Sequence, residues 1–318
     1  MPKVSIIVRT KNEERWVGRC LRMIYQQDFK DFEVILVDNR STDDSLAFTR
    51  RHFPAVEIVL SPRNDFLFSL NEVARARRED IMIVVNNDMR FNEGFVGPLV
   101  SHFTDPGVFA VGAAILTWDG SADTVGPRCA QLRRWWFHKW WSYERQQPSL
   151  TLEACGGAAA YRRRMFVELD GFDALYRPGY YEDLDLSYRA WARGWKVVYD
   201  PRSRAYHKES ASMLERFGDS GKARLLYRNH LLFTVKNVGG APFLIGFFLL
   251  LPYRVLSPLV RGYLVPAAGF LRALPLFPLA LRRRFSARTP RLDLSPFERV
   301  TTLEPAVAEG LTKVESLA

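Results

Sequence analysis

The chain predicts an α/β protein built on a mostly parallel sheet flanked by helices. Three observations support this. Short apolar runs rich in β-branched residues recur at 3–8 (KVSIIV), 32–37 (FEVILV), 56–60 (VEIVL) and 81–85 (IMIVV). Segments between them place apolar residues at helical spacing. The second and fourth runs end in polar clusters, Asp38–Asn39 and Asn86–Asn87–Asp88. Runs with no alternation suit strands buried on both faces, and their alternation with helices requires parallel pairing through right-handed crossovers. With 318 residues the chain can bury a large core and carry an appendage.

In order, residues 3–8 form a first strand, and Asn12 is placed to cap a helix whose apolar positions are Trp16, Val17, Cys20, Leu21 and Ile24. After the second strand, Ser41 and Asp44 fit a capping box for a helix over 43–53. A third strand at 56–60 and a third helix at 66–77 precede the central strand at 81–85, and another strand is expected at 108–116. Residues 117–150 hold Trp118, Trp135, Trp136, Trp140 and Trp141 beside Arg133, Arg134, His138 and Lys139. RRWWFHKWW is open to three readings: an aromatic platform for a sugar or lipid, a membrane-interface anchor, or a helix packing its Trp face on the core. The small-residue run ACGGAAAY at 154–161 permits close backbone approach. A helix at 162–169, a turn at Gly171–Phe172, a helix from Tyr181 to about Arg193 and a last strand at 196–200 complete this part of the chain.

Composition is that of a folded protein, 47% hydrophobic and 25% charged, while a net charge of +10 points to an anionic partner. The N-terminus lacks an apolar stretch long enough for a secretory signal. Cys20, Cys129 and Cys155 are far apart and without CxxC spacing, so neither a disulfide framework nor a zinc site is expected, and a reducing compartment fits.

Asp38 and Asp88 each end an apolar strand, so both open on one rim of the sheet, where ligands of open α/β sheets collect. A carboxylate preceded by amides at 86–88 can bring a hard cation to a phosphate-bearing ligand; the bland alternative is an Asx turn. Asp38 can accept hydrogen bonds from ribose hydroxyls or a pyrimidine N–H, or simply close a turn. Tyr181, Glu182 and Asp183 begin a helix, where an acid either complements the helix dipole or serves as a general base facing the nucleotide rim. His207 lies beyond the last strand, at a position suited to a further metal ligand. Neither GxGxxG nor GxxxxGK[ST] occurs, which counts against a dinucleotide oxidoreductase or a P-loop ATPase.

This order of motifs resembles the family 2 glycosyltransferases of GT-A fold, whose nucleotide-binding sheet is mostly parallel, over roughly residues 2–212. It is most similar to rhamnosyltransferase-like members that build bacterial cell-surface glycans. The residues that carry the likeness are VSIIVRTKNEE, FEVILVDNRSTDDS, Asn64 and Asn71 in RNDFLFSLNEVA, IVVNNDM, CGGAAAYRRRMFVELDGFD, YYEDLDLSYRAWARGW and YHKES. The resemblance implies that Asp38 contacts the nucleoside, with Thr10, Asn12 and Glu13 nearby, and that Asn64, Asn71 and Asn87 line the donor site. It implies that Asp88 holds Mg2+ or Mn2+ against the donor diphosphate with His207 completing the site, and that Asp183, paired with Glu182, is the catalytic base. One base with direct displacement would invert the anomeric carbon. Two departures stand out: Arg9 replaces the family's usual Pro, and Arg40 replaces its usual Gly.

The expected division is a catalytic domain at 1–228, an apolar and basic helical region at 229–285, and a mobile tail at 286–318. Residues 241–251 (APFLIGFFLLL) are uncharged but shorter than the ~20 residues needed to cross a bilayer. Prolines 252, 258, 266, 275 and 278 and arginines 254, 261, 272 and 282–284 punctuate the remainder of that region. Short apolar helices with basic flanks predict peripheral attachment to the cytoplasmic membrane face, near a lipid-linked acceptor. Two rivals compete with nucleotide-sugar transfer: a sugar-nucleotide-forming nucleotidyltransferase, which lacks its usual Gly-rich first loop here, and a basic module binding nucleic acid through RRWWFHKWW.

Overall fold

A computed structural model describes residues 3–143, 147–208, 211–286, 291–299 and 301–302. The first half alternates β1 (Val4–Thr10), α1 (Glu14–Tyr25), β2 (Phe32–Asp38), α2 (Ser45–His52), β3 (Glu57–Leu60), α3 (Leu70–Ala76) and β4 (Ile81–Asn86). Next come β5 (Met89–Phe91), α4 (Val96–Ser101), β6 (Val108–Thr117), β7 (Asp123–Val125), β8 (Arg128–Arg133), β9 (Trp136–Trp141) and β10 (Ser149–Leu150). Then come β11 (Ala158–Arg162), α5 (Arg163–Glu168), α6 (Glu182–Trp191) and β12 (Lys196–His207). The C-terminal third is helical: α7 (Ala211–Asn237), α8 (Ala241–Val260), α9 (Leu264–Ala273) and α10 (Phe277–Ser286), with a short β13 (Thr301–Thr302) returning to the sheet.

The main sheet runs β13-β10-β12-β6-β11-β4-β1-β2-β3. Strands β3, β2, β1 and β4 are mutually parallel, and their register sets Thr10 opposite Asp38 and Arg9 opposite Asn86. The strand ends that carry the polar clusters therefore lie level. Beyond β4 the sheet is mixed, since β11 enters antiparallel between β4 and β6 while β12 runs parallel to β6. Alternate side chains of the buried strands feed two cores: Ile7, Ile35, Val37 and Val84 on one face, Ile6, Val8, Leu36 and Val85 on the other.

Several local expectations change. Asn12 does not cap α1; it adopts φ 55, and its Oδ1 accepts the Thr42 N–H at 2.7 Å. Ser41 accepts the Asn12 N–H at 2.9 Å instead of forming a capping box, so the two loops lace together across the rim. Phe66–Ser69 is a 3-10 turn leading into α3. RRWWFHKWW is not a helix but much of a β-hairpin, with Arg134 (φ 49) and Trp135 (φ 56) as its two-residue turn. Turns with both central residues left-handed match strand twist and usually need Asn-Gly, which is why this one is hard to read from sequence.

The boundary expected at 228/229 falls inside α7, whose one break in the described backbone is at Gly218 (φ 61). Phe233, Phe247, Leu251 and Phe297 pack into the same core as Ile7 and Tyr161, so the apolar helices are fused to the sheet layer. Residues 291–299, expected in a mobile tail, dock with Phe297 edge-on to Trp191 at 4.9 Å; residues 303–318 lie outside the described ones. Helix α8 continues through Pro252 and Pro258 for 20 residues, so it and the stretch Leu264–Ser286 are long and apolar enough to cross a membrane by length and composition. Each is only sparsely buried in the fold.

Candidate active site

The site lies where β4 and β12 end and α6 begins. After β4 the chain turns through Asn87 and Asp88 into β5, which pairs antiparallel with the far end of β12 and sets Met89 opposite His207. Strand β12 runs past its expected end at Asp200 to His207, bringing His207 Nε2 within 3.2 Å of Asp88 Oδ2. Asp88 Oδ1 is buried without a hydrogen-bond partner. An orphaned carboxylate oxygen beside an imidazole nitrogen fits a divalent cation, since leaving such an oxygen desolvated and unpaired is costly. No cluster of three or more His, Cys, Asp or Glu suited to a metal occurs among the described residues, so ligand oxygens would have to complete the coordination.

Across from this pair, Asp183 stands in the first turn of α6. The approach is tightly held: Tyr180 (φ 70) and Tyr181 (φ 74) are consecutive left-handed residues. Such backbone persists only where its surroundings impose it. Here α7 does so. Buried Asn229 donates from Nδ2 to the carbonyls of Tyr176, Gly179 and Tyr180 at 3.2, 2.9 and 2.8 Å, and the next residue, His230, meets the Tyr181 hydroxyl at 3.0 Å. One turn into α6, buried Asp185 bonds Tyr176, Arg189, Lys236 and Asn237, fixing the helix against α7.

A cleft of about 270 Å³ joins the two sides, lined by Asn86, Gly156, Gly157, Glu182, Asp183 and His207 among others. The small-residue run forms its floor: a Cβ on Gly157 would lie 3.0 Å from Met89 Cε. Asp183 Oδ2 accepts the Gly156 N–H at 3.3 Å and Oδ1 accepts its neighbour's, Leu184 N–H, at 2.8 Å. Burial, then the charge of Glu153, pushes the Asp183 carboxyl up to about 7, against the pull of those two amides and Lys139. Burial and the adjacent Asp183 hold Glu182 well above the usual carboxylate range, with Arg9 opposing. A partly exposed carboxyl poised near neutrality can accept a proton from an alcohol.

The other expected residues lie apart from this cleft. Asp38 is buried, and its oxygens accept the Arg40 and Ser41 N–H groups at 3.1–3.2 Å, closing the turn after β2. Asn87 Nδ2 donates to Thr10 Oγ1 at 2.9 Å, so these two brace strand ends. Asn12 and Glu13 line a separate hollow of about 160 Å³ with Asp43. Asn71 clasps the backbone of Phe172 in both directions, at 2.9 and 2.8 Å, which makes it a structural clamp. Asn64 keeps a buried, unpaired Oδ1 and does not line the cleft. Sequence reasoning missed Glu153 and Asn229, which lie in no motif. The acid two residues before CysGlyGly was the one available signal for Glu153.

An α/β sheet of this order, with an acid at the β4 rim facing another at a helix start, defines a GT-A-type transferase core. The chain belongs to the family described as Glycosyl transferase family 2, whose model matches residues 5–170, just over half of the chain. It is 27% identical over 226 residues to the O-antigen biosynthesis protein RfbC of Myxococcus xanthus, covering 66% of this chain and 18% of that protein. A shorter match, 44% identical over 45 residues, covers 14% of this chain and 15% of the GalNAc(5)-diNAcBac-PP-undecaprenol beta-1,3-glucosyltransferase of Campylobacter jejuni. The matches thus span less than a fifth of each of these two relatives. Among solved structures, GalNAc-T7 with UDP, GalNAc and Mn2+ superposes with a TM-score of 0.63 at 14% identity, covering 91% of this chain and 58% of that one. Family membership sets aside the nucleotidyltransferase and nucleic-acid readings.

Proposed function

We propose that this chain transfers a sugar from a nucleotide-diphosphate donor to a hydroxyl of a lipid-linked glycan acceptor, with inversion at the anomeric carbon. The observation that carries the reading is the convergence of His207, with Asp88 on it, and Asp183 on one cleft. Asp88 and His207 would hold Mg2+ or Mn2+, which when bound offsets the charge developing on the departing diphosphate. Asp183 accepts the acceptor's hydroxyl proton as that oxygen bonds to the anomeric carbon and the carbon–phosphate-oxygen bond breaks. With Asp183 as the base and no covalent intermediate required, the displacement is direct. The nucleoside lies toward the neighbouring β1–β2 rim, where Thr10 and Asp38 are register partners.

Support for the lipid side comes from the C-terminal helices. Residues 241–292 contain eight arginines and neither Asp nor Glu. Leu249, Val260 and Phe285 are each at least 75% exposed on this surface. A broad apolar face rimmed by cations suits peripheral seating on anionic lipid at the cytoplasmic face of a membrane. The relatives named for O-antigen and undecaprenol-linked glycans agree with such an acceptor.

The test is a thermal-shift screen of nucleotide diphosphates with and without Mn2+, then transfer assays. A binder raises the melting temperature by mass action. The stabilisation should require Mn2+ and vanish in Asp88→Ala. Asp183→Asn should lose about 10²–10⁴-fold in transfer while still binding the nucleotide. Full transfer by folded Asp183→Asn would remove the assigned base.

A further inference from the structure

Two arginines at the seam between the cleft and the apolar helices have no part in the mechanism above. Helix α9 lies directly on α7 there: a Cβ added to Gly269 would lie 2.8 Å from the Tyr227 ring and 3.1 Å from the Arg224 carbonyl oxygen. Arg228 follows Tyr227 along α7, and Arg272 stands three residues beyond Gly269 on α9, so both side chains flank this crossing.

Arg228 is half-buried and held in place. Its Nε donates to Asn229 Oδ1 at 2.8 Å, and its Nη2 donates to the Arg177 carbonyl. Arg177 leads into Pro178, Gly179 and Tyr180, which line the cleft, and the Lys222 ammonium lies 6.0 Å over the Tyr180 ring. Asp65, which Arg177 reaches at 2.6 Å, also takes Arg63. Neither Arg228 nor Arg272 has a carboxylate partner among the described residues, and burial, then the Arg272 charge, pulls Arg228 down to about 10. Neighbouring cations with no acid between them repel, and a bound anion offsets that cost. Next to Arg272, Leu271 shares an exposed stripe of α9 with Leu264, seven residues earlier.

Resting on the reading of this chain as a transferase to a lipid-linked acceptor, we propose that Arg228 and Arg272 hold that acceptor's phosphate, with its hydrocarbon tail along the Leu264–Leu271 stripe. The order of groups matches such a molecule: a cleft for the sugar hydroxyl, two cations at its lip, then apolar surface. Guanidinium is the side chain best suited to phosphate oxygens, which it can meet with paired N–H groups. A water-soluble glycan offers nothing to either the cations or the stripe, and the donor's own diphosphate is assigned to Asp88 and His207 on β4 and β12.

The test follows binding of farnesyl diphosphate, a soluble prenyl diphosphate, to the full chain by isothermal titration. Binding should need no Mn2+ and should persist in Asp88→Ala, which marks a place apart from the donor's. Arg272→Gln should weaken it about tenfold or more, the worth of a charge-assisted contact. Arg272→Glu should abolish it while the melting temperature holds or rises, because the new carboxylate pairs with Arg228; general loosening would lower that temperature. Mn2+-dependent nucleotide binding should be the same in both variants as in the unaltered chain. Arg228→Gln should act as Arg272→Gln does, and if it does not fold, the exposed Arg272 decides alone. Farnesyl diphosphate binding unmoved by the Arg272 changes overturns the proposal. So does a loss confined to flotation with phosphatidylglycerol vesicles, which would put a bilayer headgroup on the arginines. Failure of the transferase reading would appear instead as no Mn2+-dependent nucleotide binding in the unaltered chain, so the two failures are distinguishable.

Discussion

Arg40 shows how much one backbone angle can hide. It sits at φ 69 in the turn that Asp38 closes, a conformation that costs a residue with a Cβ but not glycine. The family resemblance puts glycine there, and the structure gives the reason. Arg40→Gly should raise stability by about 0.5–1 kcal/mol, read as a higher denaturation midpoint at unchanged slope. Asp183 carries a stability signature too. Its folded carboxyl binds a proton more tightly than in the unfolded chain, so its contribution is fully present below the unfolded value near 4 and is lost as pH rises through about 7. Asp183→Asn should therefore flatten stability between pH 5 and 8, checked by urea denaturation at both values. At this scale the sequence shows Asp88, Asp183 and His207, because carboxylates at strand ends and helix starts announce themselves. Glu153 leaves only a faint mark, its place two residues before CysGlyGly, because its meaning depends on a loop closing over α6.

Among the elements, the four parallel strands were legible because each is a short, mainly apolar run rich in β-branched residues. The hairpin was not, since its turn is Arg134–Trp135 rather than Asn-Gly, and tertiary contacts hold it. Trp135 packs into a notch on α8 where a Cβ on Gly246 would lie 2.3 Å from its ring, and Trp136 stacks between His230 and Phe247. Helix α7 was not legible: the change of composition suggested a boundary at 228/229 inside it, and its duty toward the loop before α6 left no mark in the sequence. Asn229→Ala leaves three carbonyls without their donor, which should cost about 1–3 kcal/mol in stability. Transfer should fall further than unfolding explains, seen as a lower kcat in protein still folded by circular dichroism, because Tyr180 and Tyr181 lose their restraint.

For the whole molecule, charge and apolar surface coincide. Flotation with vesicles should show binding to phosphatidylglycerol-containing membranes over pure phosphatidylcholine, weakened by salt, and reduced by Leu249→Asp with Val260→Asp. Binding indifferent to both lipid charge and these changes would remove the membrane role assigned to this flank. Composition points to an anionic partner but did not reveal the architecture, because the same apolar stretches serve burial on one side and exposure on the other.

The unbroken passage of α7 through residues 228 and 229 has a practical outcome for anyone hoping to trim this chain to a minimal piece. A cut there strips away Asn229, Lys236 and Asn237 together with the greasy flank, and lays bare the apolar wall that Phe233 and Phe247 now cover. The candidate site and the apolar flank share a single beam, and neither can be kept without the other.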